Sequence, residues 1–202
     1  MFHSIRMIMN SGSILGYFLQ VVPITILVAI VYSVIRLIYL KKHSDTISWA
    51  KELLKLIFVC YVTGLINLIV MPANFWLYVM DGIAFGWWSE IPSVFAFGEI
   101  NLIPSLIRWL TGELSIGSWV KHMLIGNIAM FLPLGFLLPL VTEKVTKKNI
   151  VTIAIAVPIV MELLQLIFGR SLDVDDLICN FVGIMLGFLI VQLILKKMSK
   201  KN

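Results

Sequence analysis

Glu162 and Gln165 lie three residues apart inside a long apolar run, a spacing that places both side chains on one face of a helix. A carboxyl group in such surroundings is costly and needs a partner or a water-filled cavity, so it is a candidate functional residue by default. A carboxyl group held in this way can also accept or donate a proton during a reaction. Glu162 is therefore the candidate acid or base of this chain, and Gln165 is a candidate contact for a bound molecule.

A second polar group follows a few residues further along. At about 100° per residue, five residues after Arg170 fall within about 80° of arc on one helix face. These five are Asp173, Asp176, Asn180, Gly183 and Gly187. Asp175 would lie about 160° from Asp173 by the same count, so we expect it to point elsewhere and to matter less.

The members of this stripe also have structural interpretations. Asp173 and Asp176 suit the first turn of a helix, where side chains cap backbone N–H groups and the helix dipole favours negative charge. Their oxygens could instead hold a divalent cation. The four-residue spacing of Gly183 and Gly187 permits close helix packing, which is the role that we favour for them. Arg170 can bind a substrate or pair with the nearby acids.

The composition identifies the setting of these residues. Of 202 residues, 60% are hydrophobic and 13% are charged, and the mean hydropathy is +1.00. These values exclude an ordinary soluble domain. The net charge of +5 comes from basic clusters that flank apolar runs, a pattern typical of membrane topology. We therefore predict an all-α integral membrane protein that does not bind nucleic acid.

Five apolar stretches have the ~20 residues that a helix needs to cross a bilayer. The predicted spans are residues 14–38, 53–71, 120–141, 150–168 and 177–195. Segment 72–118 is rich in tryptophan and phenylalanine but is interrupted by prolines and acids. This pattern favours an interfacial or re-entrant extracytoplasmic segment over a sixth span.

Lysines cluster in residues 41–55, 144–148 and 196–201, after the first, third and fifth predicted spans. Such clusters mark cytoplasmic ends, so the amino terminus is expected outside and the carboxyl terminus in the cytoplasm. On this topology Asn127, Glu162 and Asn180 all lie in the outer half of the membrane. Gln192, in the inner half, is the main exception. One-sided polarity favours a pocket over a path through the membrane.

Four short pieces of the sequence, in this order, resemble the VanZ-like family of small bacterial membrane proteins. The pieces are Asn101-Leu-Ile-Pro104, the run from Asn127 to Phe136, Glu162-Leu-Leu-Gln165 and the run from Asp173 to Gly183. The resemblance implies one VanZ-like membrane domain over residues 1–202, a place in the bacterial cell membrane, and an association with low-level resistance to teicoplanin. Through it, Asn101 joins the candidate substrate-binding residues. The full set is Asn101, Asn127, Gln165, Arg170, Asp173, Asp176 and Asn180.

Three functions remain open at this point. In the first, an outer-leaflet polar pocket binds or modifies a membrane lipid or lipid-linked cell-wall precursor and lowers susceptibility to teicoplanin-type antibiotics. In the second, the chain is an enzyme with Glu162 as acid or base and a divalent cation at Asp173 and Asp176, although the sequence has no activated Ser or Cys motif and no histidine cluster. In the third, the chain is a carrier or a scaffold whose polar cluster only packs helices.

Overall fold

A computed structural model describes residues 2–43, 48–112 and 118–200 of the chain. These residues form eight α-helices, one 3₁₀ turn at Trp88–Glu90 and two short strands. The helices are α1 Phe2–Met9, α2 Ile14–His43, α3 Trp49–Ile69, α4 Phe75–Phe85, α5 Ser105–Leu110, α6 Ser118–Val141, α7 Ile150–Ile167 and α8 Val174–Ser199. The strands are β1 Ile100–Asn101 and β2 Leu172–Asp173.

Five of the described helices are long and apolar enough to cross a membrane, namely α2, α3, α6, α7 and α8. This confirms the predicted all-α membrane fold with its five spans. The second span starts earlier than predicted, at Trp49 instead of residue 53. The extra turn holds Glu52, whose carboxylate accepts from Arg36 at 2.6 Å and from Lys55 at 2.8 Å. Hydropathy alone missed this turn because Lys51 and Glu52 lower its mean hydropathy, although Glu52 is paired.

The first of two compact units comprises Met1–Phe97 and Ile167–Arg170. In it α2 packs against α3, and α2 leaves most of its apolar side chains exposed, as expected of a helix that faces lipid. The carboxylate of Asp81, which is 2% exposed, accepts from Nε and Nη2 of Arg6 at 2.8 and 2.9 Å. These hydrogen bonds raise the pKa of Arg6. No sequence motif indicated this ion pair between half-buried Arg6 and buried Asp81.

The described part of the predicted extracytoplasmic segment contains no helix of spanning length. Its longest helix, α4, has 11 residues and is about 16 Å long, about half of the ~30 Å hydrocarbon core. Phe95, Phe97 and Trp109 are exposed, as residues at a membrane–water boundary would be. The interfacial or re-entrant placement of this segment stays a prediction.

The second unit comprises Gly98–Leu166 and Ser171–Asn202, and its closest helix pair is α6 with α8. A Cβ atom added at Gly183 would lie 2.5 Å from the carbonyl oxygen of Ile128 in α6. One added at Gly187 would overlap the carbonyl oxygen of Leu132. Only glycine permits this approach of the two backbones, which confirms the packing role predicted for both residues.

Two short strands complete the second unit. Strand β1 pairs in parallel with β2, so that Ile100 lies opposite Leu172 and Asn101 lies opposite Asp173. The N–H of Leu172 donates to the carbonyl oxygen of Glu99 at 2.9 Å. The pairing fixes the segment before α5 against the connection between α7 and α8.

Candidate functional site

Seven of the eight candidate site residues belong to the second unit, and Arg170 belongs to the first. Glu162, Gln165 and Asn180 are the most buried of the seven, at 1%, 5% and 2% exposure. Helix α7 positions the first two and α8 the third. We call Glu162, Gln165, Asn180 and the two half-buried residues Asn127 and Asp176 the polar cluster.

Asp173 does not continue the helical stripe that the sequence analysis predicted. Its backbone is extended, with φ −125° and ψ 129°, and it forms the N-cap of α8. Its Oδ1 atom accepts from the N–H of Asp175 at 2.9 Å. The helical placement was wrong because pairing with β1 and the capping bond hold this residue in the extended conformation, whereas the capping interpretation is confirmed.

Asp173 is also hydrogen-bonded to two polar side chains, Glu162 and Asn101, and Asn101 is bonded in turn to Arg108. Its backbone N–H donates to Oε2 of Glu162 at 3.0 Å, and its Oδ2 accepts from Nδ2 of Asn101 at 2.8 Å. The Oδ1 atom of Asn101 in turn accepts from Nη2 of Arg108 at 2.7 Å. The guanidinium of Arg108 is charged, which strengthens its hydrogen bond to Asn101 and polarises the bonds that follow it. Arg108 was missed as a site residue because only the pairing of β1 with β2 brings it here.

The contact between Asn127 and Asp176 connects α6 to α8. Nδ2 of Asn127 donates to Oδ1 of Asp176. Asn180 lies one turn further along α8, and its buried Oδ1 atom has no hydrogen-bond partner among the described residues. Leaving such an acceptor unsatisfied costs about 1–3 kcal/mol. A donor from a bound molecule or a water would remove that cost.

Asp175 points away from the polar cluster toward the start of α5. Its Oδ2 atom accepts from the backbone N–H of Ser105 at 2.8 Å. The expected direction away from the stripe is therefore observed. The further expectation that Asp175 matters less stays a prediction, and its carboxylate fixes α5 to the start of α8.

Residues 27–195 match a family model described as VanZ/LLP1. The chain belongs to the VanZ/LLP1 family. Its family membership and its long apolar helices together show that it is a multi-pass membrane protein. The match begins at residue 27, so α3 and most of α2 are part of the family region. The sequence motifs had indicated a resemblance only from residue 101 onward. Searches of curated proteins and of solved structures found no match.

In this VanZ/LLP1 family member, Arg170 contacts the carboxyl end of α3. Its Nη1 atom donates to the carbonyl oxygens of Leu68 at 3.0 Å and Met71 at 3.4 Å. A cation at this end of a helix satisfies free carbonyl groups and interacts favourably with the helix dipole. These contacts give Arg170 a structural role, and its part in binding a substrate stays a prediction.

The two aspartates considered as cation ligands do not form a metal site of a usual kind. Both carboxylate oxygens of Asp173 accept hydrogen bonds from the protein, and Oδ1 of Asp176 accepts from Asn127. In the described ranges, no group of three or more His, Cys, Asp or Glu side chains could hold a metal ion. The donor set therefore does not fit a divalent cation, which takes six or more oxygen ligands. His122, the one histidine that the predicted spans place near these aspartates, has its side chain outside the described residues.

The hydrogen bonds predict different outcomes for two conservative substitutions in this VanZ/LLP1 protein. Asp173→Asn would turn one amide N–H group toward a donor, because both carboxylate oxygens face N–H groups. We expect a loss of about 1–3 kcal/mol in the free energy of unfolding. Asp175→Asn keeps an acceptor for Ser105, so we expect a change within about 0.5 kcal/mol. Thermal unfolding of both purified variants in detergent measures this, and equal losses would contradict the assigned contacts.

Proposed function

We propose that this protein lowers susceptibility to teicoplanin-type lipoglycopeptides by binding or modifying a lipid-linked molecule of the cell envelope at the polar cluster. The observation that carries the proposal is the burial of Glu162, Gln165 and Asn180 among apolar helices, with Oδ1 of Asn180 lacking a partner in the described structure. The association of VanZ-like proteins with glycopeptide resistance supplies the drug class. Teicoplanin carries an acyl chain, so a protein that alters the outer leaflet or its lipid-linked precursors would change how the drug engages its target.

The proposal includes an orientation. The amino terminus is outside and the carboxyl terminus is in the cytoplasm, as the lysine clusters favour. The polar cluster then faces the outer leaflet, where lipid-linked cell-wall precursors are used. The aromatic side chains of segment 72–118 would lie at the same membrane surface.

Single introduced cysteines test this orientation. In a background with Cys60 and Cys179 replaced, we expect Ser171→Cys to react with an impermeant maleimide added to intact cells. Lys148→Cys should react only after permeabilisation. Both positions are exposed, which removes burial as a reason for low labelling. Labelling of residue 148 in intact cells, or protection of residue 171, would reverse the topology.

A second candidate function is a scaffold in which these polar residues only stabilise the fold. It is favoured by the hydrogen bonds from Arg108 through Asn101 to Asp173, and from Asp173 to Glu162, which tie the segment before α5 to the end of α7. A scaffold tolerates any substitution that preserves those bonds. A binding site does not.

The experiment that tests the proposal is drug susceptibility of a sensitive Gram-positive host that expresses the chain. We expect the inhibitory concentration of teicoplanin to rise, and that of a glycopeptide without an acyl chain to stay at the level of the empty vector. An equal rise for both drugs would mean that recognition does not depend on the acyl chain.

A further inference from the structure

A groove lies between the start of α7 and the end of α8, within the second unit. Its volume is about 550 Å³, and its lining includes Val151 of α7 and Leu189 and Leu193 of α8. These three side chains are 45%, 51% and 61% exposed. In helices long enough to span a membrane, exposed apolar side chains meet lipid.

The groove has cationic groups at one end. Lys147 precedes α7, and Lys196 lies in the last turn of α8, so both stand where these helices leave the apolar region. Within the described residues, neither lysine forms an ion pair. The α8 lining extends from Met185 to Lys196, about 16 Å along the helix axis. A charged end and an apolar length of this size match a lipid headgroup and one acyl chain.

Gln192 lines the same groove, one turn before Lys196. Gln192 is the main polar residue in the predicted inner half of the membrane, and the sequence alone indicated no function for it. Its amide can donate and accept hydrogen bonds, so it can contact a phosphate or glycerol group beside the lysines.

We propose that this groove binds one anionic phospholipid. Its phosphate contacts Lys147, Lys196 and Gln192, and one acyl chain lies along Val151, Leu189 and Leu193. The site is at the opposite end of α7 and α8 from Glu162 and does not depend on the function proposed for the polar cluster. A second copy of the chain is a less favourable occupant. If a twofold axis along the membrane normal related the two copies, their lysines would lie at the same depth, and repulsion between these like charges disfavours a dimer contact.

Native mass spectrometry of the full chain tests this site. The protein is delipidated in a neutral detergent and titrated with phosphatidylglycerol or with phosphatidylcholine of the same acyl composition. We expect one tightly retained phosphatidylglycerol, bound at a concentration about tenfold lower than phosphatidylcholine, because each lysine near an anionic headgroup contributes to affinity.

Matched variants separate the groove from general charge attraction. Lys147→Gln with Lys196→Gln should lose the tenfold preference, whereas Lys41→Gln with Lys42→Gln removes the same charge at the end of α2 and should keep it. Leu189→Trp should fill the groove and lower retention of both lipids, with monodispersity in size exclusion as the check of folding. Equal retention of the two lipids by the wild type, an unchanged preference in the groove variant, or a dimer that disappears in Leu189→Trp without any bound lipid would each overturn the proposal.

Discussion

Alanine at Gly135 or at Gly187 is expected to lower the free energy of unfolding by about 1–3 kcal/mol, as overpacking of a tight contact does. A Cβ atom at Gly135 would overlap the backbone carbonyl of Ile184, and one at Gly187 would overlap that of Leu132. Both obstacles are backbone atoms, so no side-chain rotation relieves them. The added methyl group can be accommodated only if α6 and α8 move apart.

Gly126→Ala is the matched control for this prediction. Gly126 lies in the same helix as Gly135, and a Cβ atom there would meet nothing within 4 Å. Gly64→Ala in α3 has equally open surroundings. Both controls should be neutral or slightly stabilising, because alanine favours a helix more than glycine does. Thermal unfolding in one detergent measures all four variants, and the same midpoint for Gly135→Ala and Gly126→Ala would show that the helices are not packed this closely.

The close packing of α6 and α8 also positions part of the polar cluster. Asn127 of α6 donates to Asp176 of α8, and the next residue of α6, Ile128, is the one whose carbonyl contacts Gly183. Separating the two helices would therefore lengthen the bond between Asn127 and Asp176. The glycine variants should lose activity along with stability, so activity must be compared with variants that leave this packing intact.

Much of the fold could be predicted because its determinants are local in the sequence. The spans follow from runs of apolar residues, and the close packing of α8 on a neighbouring helix follows from the four-residue spacing of Gly183 and Gly187. The spacing did not identify α6 as that neighbour. Three spans extend beyond their predicted ends: α2 ends at His43 instead of residue 38, α3 begins at Trp49 instead of residue 53, and α8 covers Val174–Ser199 instead of 177–195. At the start of α3, Glu52 forms an ion pair with Arg36, which lies 16 residues earlier. Hydropathy within a window cannot detect a charge that is neutralised by a partner on another helix.

The site was predicted less completely because it depends on contacts between distant residues. Asp173 lies on a strand because Asn101, 72 residues earlier, pairs with it, and no periodicity around Asp173 indicates this. The same pairing brings Arg108 into the hydrogen-bonded chain. Glu162 could be found from sequence, because a carboxyl group inside an apolar helix is conspicuous without any knowledge of its partners.

Substitution of Glu162 has two expected effects that separate folding from function. Glu162→Leu removes the acceptor of the Asp173 N–H group, which should cost about 1–3 kcal/mol of stability. Glu162→Gln keeps an oxygen that can accept the same bond, and it removes a charge that is costly to bury, so the protein should remain folded. Thermal unfolding in detergent measures both changes. If the polar cluster is the functional site, resistance to teicoplanin requires the carboxyl group itself and should be lost in both variants.

The most direct test of the polar cluster as a functional site is the teicoplanin susceptibility of cells that express Glu162→Gln at the membrane level of the wild type. Glu143→Gln, on an exposed side chain outside the helices, removes the same group as a control. We expect Glu143→Gln to match the wild type and Glu162→Gln to fall to the empty-vector level. A folded Glu162→Gln that confers the full wild-type resistance would contradict the account and leave Glu162 as a packing residue.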